Sequence, residues 1–136
     1  MSHEFHGWIV LQSSPADTEP EENLDWVAEF RHEVADIRWS SGRAVLTLHN
    51  GSWLLTLHCF PNRKRDESDE MRKLVTRIAE KLPGAYGIIY ESDWSVELDG
   101  GRGGRGAFVV TVIRRGTTHT FLDPFLSPLQ PNIEDI

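Results

Sequence analysis

Three kinds of residue in this chain could do chemistry: six histidines, a single cysteine and two clusters of arginine. A metal site needs histidine, cysteine or carboxylate ligands brought together at close spacing. His49 and His58 are predicted on one face of a hairpin but far apart along it, with His58 opposite Arg43. His3 and His6 lie near the N-terminus, His32 on a helix flank and His119 in the last hairpin. No H-x-x-x-H or C-x-x-C spacing occurs, so neither a metal nor a cofactor is expected. Cys59 follows His58 directly, and neighbours on a strand point to opposite faces. That geometry is poor for a Cys–His nucleophile pair, and a buried structural thiol is expected. No nucleophile elbow, phosphate loop or paired-carboxylate motif appears. No catalytic residue is assigned, and the chain does not read as an enzyme.

The arginine clusters are weaker signals than they look. "GRGGRG" (residues 101–106) fits the letters of a dinucleotide loop, but a polar loop precedes it and a strand follows, where the motif needs strand then helix. Residues 92–106 read as a loop, with the glycine-rich stretch as a flexible hairpin tip. Arg63, Lys64 and Arg65 stand just before a helix N-terminus, where basic side chains and free N–H groups can hold an anion. They form the alternative site, for an anionic ligand or nucleic acid, with Arg102 and Arg105 as further candidates. The plainer reading is a solvated loop paired with the acidic turn that follows.

The remaining feature is a stripe of acid. Glu22, Asp25, Glu29, Glu33 and Asp36 fall within roughly 80° of one another on a helix of 100° per residue. Leu24, Val27, Phe30, Val34 and Ile37 occupy the opposite side, and Trp26 sits at the border. The stripe has no interleaved lysine or arginine, which an exposed helix face commonly uses for i,i+4 pairing. Glu22, Asp25, Trp26, Glu29, Glu33 and Asp36 are the candidate partner-binding residues. Trp26, or Trp94 in its polar loop, could serve as an aromatic anchor.

The elements that must position these residues can be read from periodicity. Residues 4–12 read as a strand and residues 21–38 as the acidic helix. Asn50-Gly51 between alternating runs is a strong hairpin signal. Its two-residue turn places His49 opposite Ser52, Leu48 opposite Trp53, Leu46 opposite Leu55 and Ala44 opposite Leu57. Leu46, Leu48, Trp53, Leu55 and Leu57 make a core face; Thr47, His49, Ser52, Thr56 and His58 make a wet face. A second helix, begun by Asp66 or Ser68, buries Met71, Leu74, Val75, Ile78, Ala79 and Leu82 and stops at Pro83-Gly84. A strand at "AYGIIYE" and a hairpin around Arg115-Gly116 complete the chain. The order is β-α-β-β-α-β-β-β. The expected fold is α+β, a mainly antiparallel sheet of about five to six strands with both helices on one face.

The chain's 136 residues suit one domain with a sizeable core. One cysteine makes no internal disulfide, no basic and apolar leader is visible, and no apolar run nears the roughly 20 residues of a membrane span. A cytoplasmic protein without membrane contact is expected. The net charge is −7. Residues 1–36 hold nine acidic residues against Arg31 alone, a local charge of −8. Such a field disfavours direct contact with nucleic acid and favours a basic partner. Oligomeric state is not encoded in any of these features.

Four segments carry a resemblance: "FHGW", "NRKRDE", "PGAYGIIYESD" and "DPFLSPLQPNIED". In this order, spanning residues 5–135, they resemble the bacterial immunity protein 7 family, found beside polymorphic toxins. The chain departs from that pattern near Arg63, where a histidine is expected, and in the glycine-rich residues 100–106. The resemblance implies one immunity-type domain over residues 1–136, non-enzymatic and cytoplasmic, that binds and neutralises a cognate toxin domain. It does not transfer contact residues, which must differ between toxin pairs. A nuclease toxin, with a basic substrate cleft, is the partner class that the acidic helix suits. The wet hairpin face, through Thr47, His49, Thr56 and His58, is the second candidate surface. The proline-punctuated tail, residues 123–136, is expected to run as an extended strap, with Phe125, Leu126 and Leu129 packed on the body.

Overall fold

The computed structural model describes residues 3–14, 25–61, 66–93, 97–98, 104–105 and 107–126. Ten elements run in order: β1 (His3–Leu11), α1 (Asp25–Ala35), β2 (Gly42–His49), β3 (Ser52–Cys59), α2 (Asp66–Lys81), β4 (Tyr86–Asp93), β5 (Glu97–Leu98), β6 (Gly104–Arg105), β7 (Phe108–Arg114) and β8 (Thr117–Leu122). Six strands form one antiparallel sheet in the order β2-β3-β1-β4-β7-β8. The fold is α+β, with the element order expected.

Both hairpins turn as their residues require. Asn50 and Gly51 have φ of 48° and 82°, and Arg115 and Gly116 have 50° and 78°. Positive φ at both central residues matches the right-handed twist of the flanking strands. The register of β2 on β3 is the expected one, from His49 opposite Ser52 to Arg43 opposite His58.

Period-two alternation selects one face for the core. Phe5, Ile9 and Leu11 of β1, Leu55, Leu57 and Cys59 of β3, Ile89 of β4 and Ile113 of β7 are buried there in one cluster. The cluster also holds Trp26, Val27, Phe30 and Val34 of α1 and Met71, Leu74, Val75, Ile78 and Ala79 of α2. Both helices therefore cover the same face, α1 toward β2 and α2 toward β7 and β8. Phe5 meets the buried Trp39 edge-on at 5.1 Å between ring centres. No helix among the described residues is long and apolar enough to cross a membrane.

Four expectations need correction. Helix α1 ends at Ala35 rather than near Arg38, and the Arg38 guanidinium donates to the carbonyls of Ala35 and Ile37 beyond its end. Residues 21–24 lie outside the described residues. Within the expected loop, β5 and β6 pair as a two-residue ladder, Glu97 with Arg105 and Leu98 with Gly104. Such short runs carry too little periodicity to be read from sequence. Trp26 is not at a border but packed inward, 9 % exposed. Phe125 and Leu126, placed on the body by the strap reading, are 86 % and 51 % exposed. Asp123 explains this. Its backbone N–H donates to Phe108, and its side chain accepts from the N–H groups of Phe125 and Leu126, turning the chain away after β8. Leu129 and the rest of the tail, residues 127–136, lie outside the described residues.

The sheet is tight where β1 meets β4. A Cβ added at Gly7 would lie 2.2 Å from the Ile88 carbonyl oxygen and 2.7 Å from Ile89 Cδ1. Gly7→Ala is expected to destabilise the protein by about 1–3 kcal/mol, as overpacking does. Denaturant unfolding checks this; an unchanged midpoint would show that the strands can part freely. Arg115→Asn, which suits the left-handed turn position, is expected to add about 0.5–1 kcal/mol in the same measurement.

Candidate functional site

The acidic helix face is tied to its neighbour. Arg77 of α2 donates from Nη2 to Glu29 Oε1 at 3.0 Å and reaches Glu33 with Nη1. Lys81 contacts the other Glu29 oxygen. The cations that the acidic stripe lacks come from α2, a pairing that i,i+4 counting on one helix cannot detect. The Lys81 hydrogen bond, aided by the charges of Lys81 and Arg77, holds the Glu29 carboxyl below its ordinary value against a smaller opposing effect of burial. Asp25 and Asp36 remain exposed, Trp26 is buried, and Glu22 lies outside the described residues.

A second polar group links β1, α2 and β4. His3 Nε2 lies 2.9 Å from Ser68 Oγ and 3.0 Å from Glu91 Oε2. Arg72 Nη2 donates to both Glu91 oxygens at 2.7 Å. Serine, histidine and glutamate resemble a hydrolase triad, but the geometry differs. A triad histidine uses one ring nitrogen for the nucleophile and the other for the carboxylate. Here both neighbours meet the same nitrogen, and Ser68 and His3 are 0 % and 2 % exposed. The group is a buried tie. Its partners are too far apart in sequence to be paired by any local pattern. Beside it, between α2 and β8, lies a pocket of about 170 Å³ lined by Arg72, Thr76, Glu91, Thr118 and Thr120 among others. That is smaller than the roughly 300–1,000 Å³ of small-molecule sites.

Cys59 is fully buried, with its thiol 3.6 Å from Ser41 Oγ, and burial pushes the thiol's pKa up. A raised pKa suppresses the reactive thiolate. Among the described residues no three His, Cys, Asp or Glu gather as metal ligands would. Arg63, Lys64, Arg65, Trp94 and Arg102 lie outside the described residues, and Arg105 is described only as part of β6.

The face of the sheet opposite the helices is not simply wet. Strand registers align Arg43, His58, His6, Tyr90, Val110 and Phe121 in one row across all six strands. The next row is Val45, Thr56, Trp8, Ile88, Val112 and His119. A third holds Thr47, Leu54, Val10 and Tyr86. Trp8 and Tyr86 meet edge-on at 6.1 Å, and His6 stacks on Tyr90 at 5.5 Å. Thr47 and His49, joined by a 2.7 Å hydrogen bond, and Thr56 and His58 form the polar β2–β3 end. Sequence reading located that end and missed the aromatic centre. A signal was present: "WIVL", "YGIIY" and "AFVVTVI" are apolar at successive positions, as strands with two apolar faces are.

The Glu29 bridge sets an acid dependence. A carboxyl with a depressed folded-state pKa contributes stability above its unfolded value and loses it as pH falls through the folded one. The stability gap between the wild type and Glu29→Gln is therefore expected at pH 7 and should close in the acid range below ordinary carboxylate values. Urea midpoints at both pH values test this; a gap independent of pH would contradict the bridge.

No curated protein and no solved structure matches the chain. A family model does, over residues 2–135, almost the entire length. With the segments at residues 5–8, 83–93 and 123–135 falling inside that match, the chain belongs to the immunity protein 7 family.

Proposed function

We propose that this protein binds and neutralises a cognate toxin domain of a bacterial polymorphic toxin system, acting in the cytoplasm of the cell that makes it. The family match over residues 2–135 carries this reading. Neutralisation works by occupancy: a bound protein covers the toxin's active site or substrate surface and chemistry stops. A nuclease toxin is the favoured partner class, because a cleft that binds phosphate is basic and this chain carries −7. Opposite charge accelerates encounter, with steered association reaching about 10⁸–10⁹ M⁻¹s⁻¹ at low salt.

The acidic helix contributes through its field. Glu29 and Glu33 already share Arg77 and Lys81, so Asp25 and Asp36 are its freest described carboxylates. Reversing Glu29 or Glu33 would also break the tie to α2 and confuse binding with stability. Asp25 and Asp36 avoid that.

The test is co-expression with the cognate toxin domain, sought first in the gene immediately upstream. The wild type is expected to restore growth, and failure to protect would refute the reading. Asp25→Lys with Asp36→Lys is expected to slow association with the catalytically inactivated toxin domain several-fold and to flatten its salt dependence. Unchanged rates across ionic strength would remove the helix from the interaction.

A further inference from the structure

The helix-free face of the sheet has the makings of an interface that the acidic helix lacks. Trp8, Tyr86 and Phe121 are 42 %, 46 % and 53 % exposed on it, with Val10, Ile88 and Val112 half-buried between them. They sit on β1, β4, β7 and β8, the rigid centre and one side of the sheet, so little ordering is needed on binding. Large aromatic side chains are the types that dominate binding energy when a partner removes their water. We propose that this face, centred on Trp8, Tyr86 and Ile88, is where the toxin domain docks. The inference rests on the immunity reading above and names the surface through which it acts.

Shape narrows the occupant to a folded domain. Five gaps of about 4.8 Å make a six-strand face roughly 24 Å wide, and six residues along a strand span about 20 Å. Ser92, Phe108 and Val110 on this face are already buried, so the open part is the region of Trp8, Tyr86, Ile88 and Phe121. That region can supply the apolar centre of a standard interface of about 800 Å² per partner, with the Thr and His positions of β2 and β3 as a polar rim. The clefts beside α1 and between α2 and β8 are lined by residues other than Trp8 and Tyr86. A flat surface suits a globular partner better than a small ligand or a peptide held in a groove.

Charge selects among globular partners. Two copies of this chain carry −7 each and repel. The charged side chains in the rows across the face are Arg43 and, in the row of Ser92 and Phe108, Glu4, so the repulsion between two copies comes from the net charge and not from the face itself. A basic domain is instead attracted by the whole molecule and then held by apolar contact. Long-range field and short-range anchor are thus different surfaces. The field sets the rate of encounter, and the aromatic face sets the lifetime of the complex.

Two variants test the assignment against the catalytically inactivated cognate toxin domain. Trp8→Thr with Tyr86→Thr keeps strand-forming side chains while removing the aromatic centre. Phe121→Lys alters an exposed side chain on edge strand β8 and leaves the core untouched, so it keeps the test open if the double variant fails to fold. Circular dichroism and thermal melts establish folding. The double variant is expected to bind at least about a hundredfold more weakly, chiefly by faster dissociation, and Phe121→Lys about tenfold. Asp25→Lys with Asp36→Lys should change association instead. If the wild type binds and the folded face variants bind equally well, the docking assignment is overturned while the immunity reading stands. If the wild type neither binds nor protects, the immunity reading falls and the assignment with it. Sedimentation showing a wild-type dimer that Phe121→Lys splits, with toxin binding retained, would give the face to a second copy. Wild-type binding to single-stranded DNA that the face variants lose would give it to nucleic acid.

Discussion

A six-stranded sheet has two faces and this chain has two described helices, both on one of them. That imbalance governs the rest of the structure. Along β1, in the middle of the sheet, Phe5, Ile9 and Leu11 meet the helices, while His6, Trp8 and Val10 point the other way. A slip of one residue would exchange the two sets, which is why the glycines at the β1–β4 junction matter. Gly7 and Gly87 let the two central strands approach beneath the helices at a distance no side chain allows.

The same arrangement separates charge from contact. The acidic helix packs over the β2 side, and its Glu29 and Glu33 are drawn to Arg77 and Lys81 of the helix beside it. Exposed ion pairs of this kind contribute little stability singly. They do alter what the helix offers a partner, since carboxylates already shared with cations are costlier to recruit. The local charge of −8 in residues 1–36 persists as a field, whereas specific contact falls to surfaces with desolvatable apolar area.

The His3–Ser68–Glu91–Arg72 group, buried at His3 and Ser68, illustrates how residue types mislead without geometry. The residue types match a nucleophile, base and orienting acid, yet one ring nitrogen faces both neighbours and the serine is sealed from solvent. Its role is to join the first strand to α2 and β4, a polar tie inside an otherwise apolar layer. Buried polar groups need such partners, and here three elements supply them.

What was legible in the sequence was local. Asn50-Gly51 and Arg115-Gly116 dictate their hairpins because few residues tolerate positive φ, and a two-residue turn leaves one register. The helical stripes and the opposed directions of His58 and Cys59 follow from periods of 3.6 and 2.0. The family resemblance was legible for the same reason, as short ordered segments along the chain. Tertiary structure decided what depends on residues distant in sequence: the cations that meet Glu29 and Glu33, the inward turn of Trp26, the outward turn of Phe125 and Leu126, and the aromatic rows of the helix-free face. Periodicity states which residues share a face; only packing determines whether another element covers it.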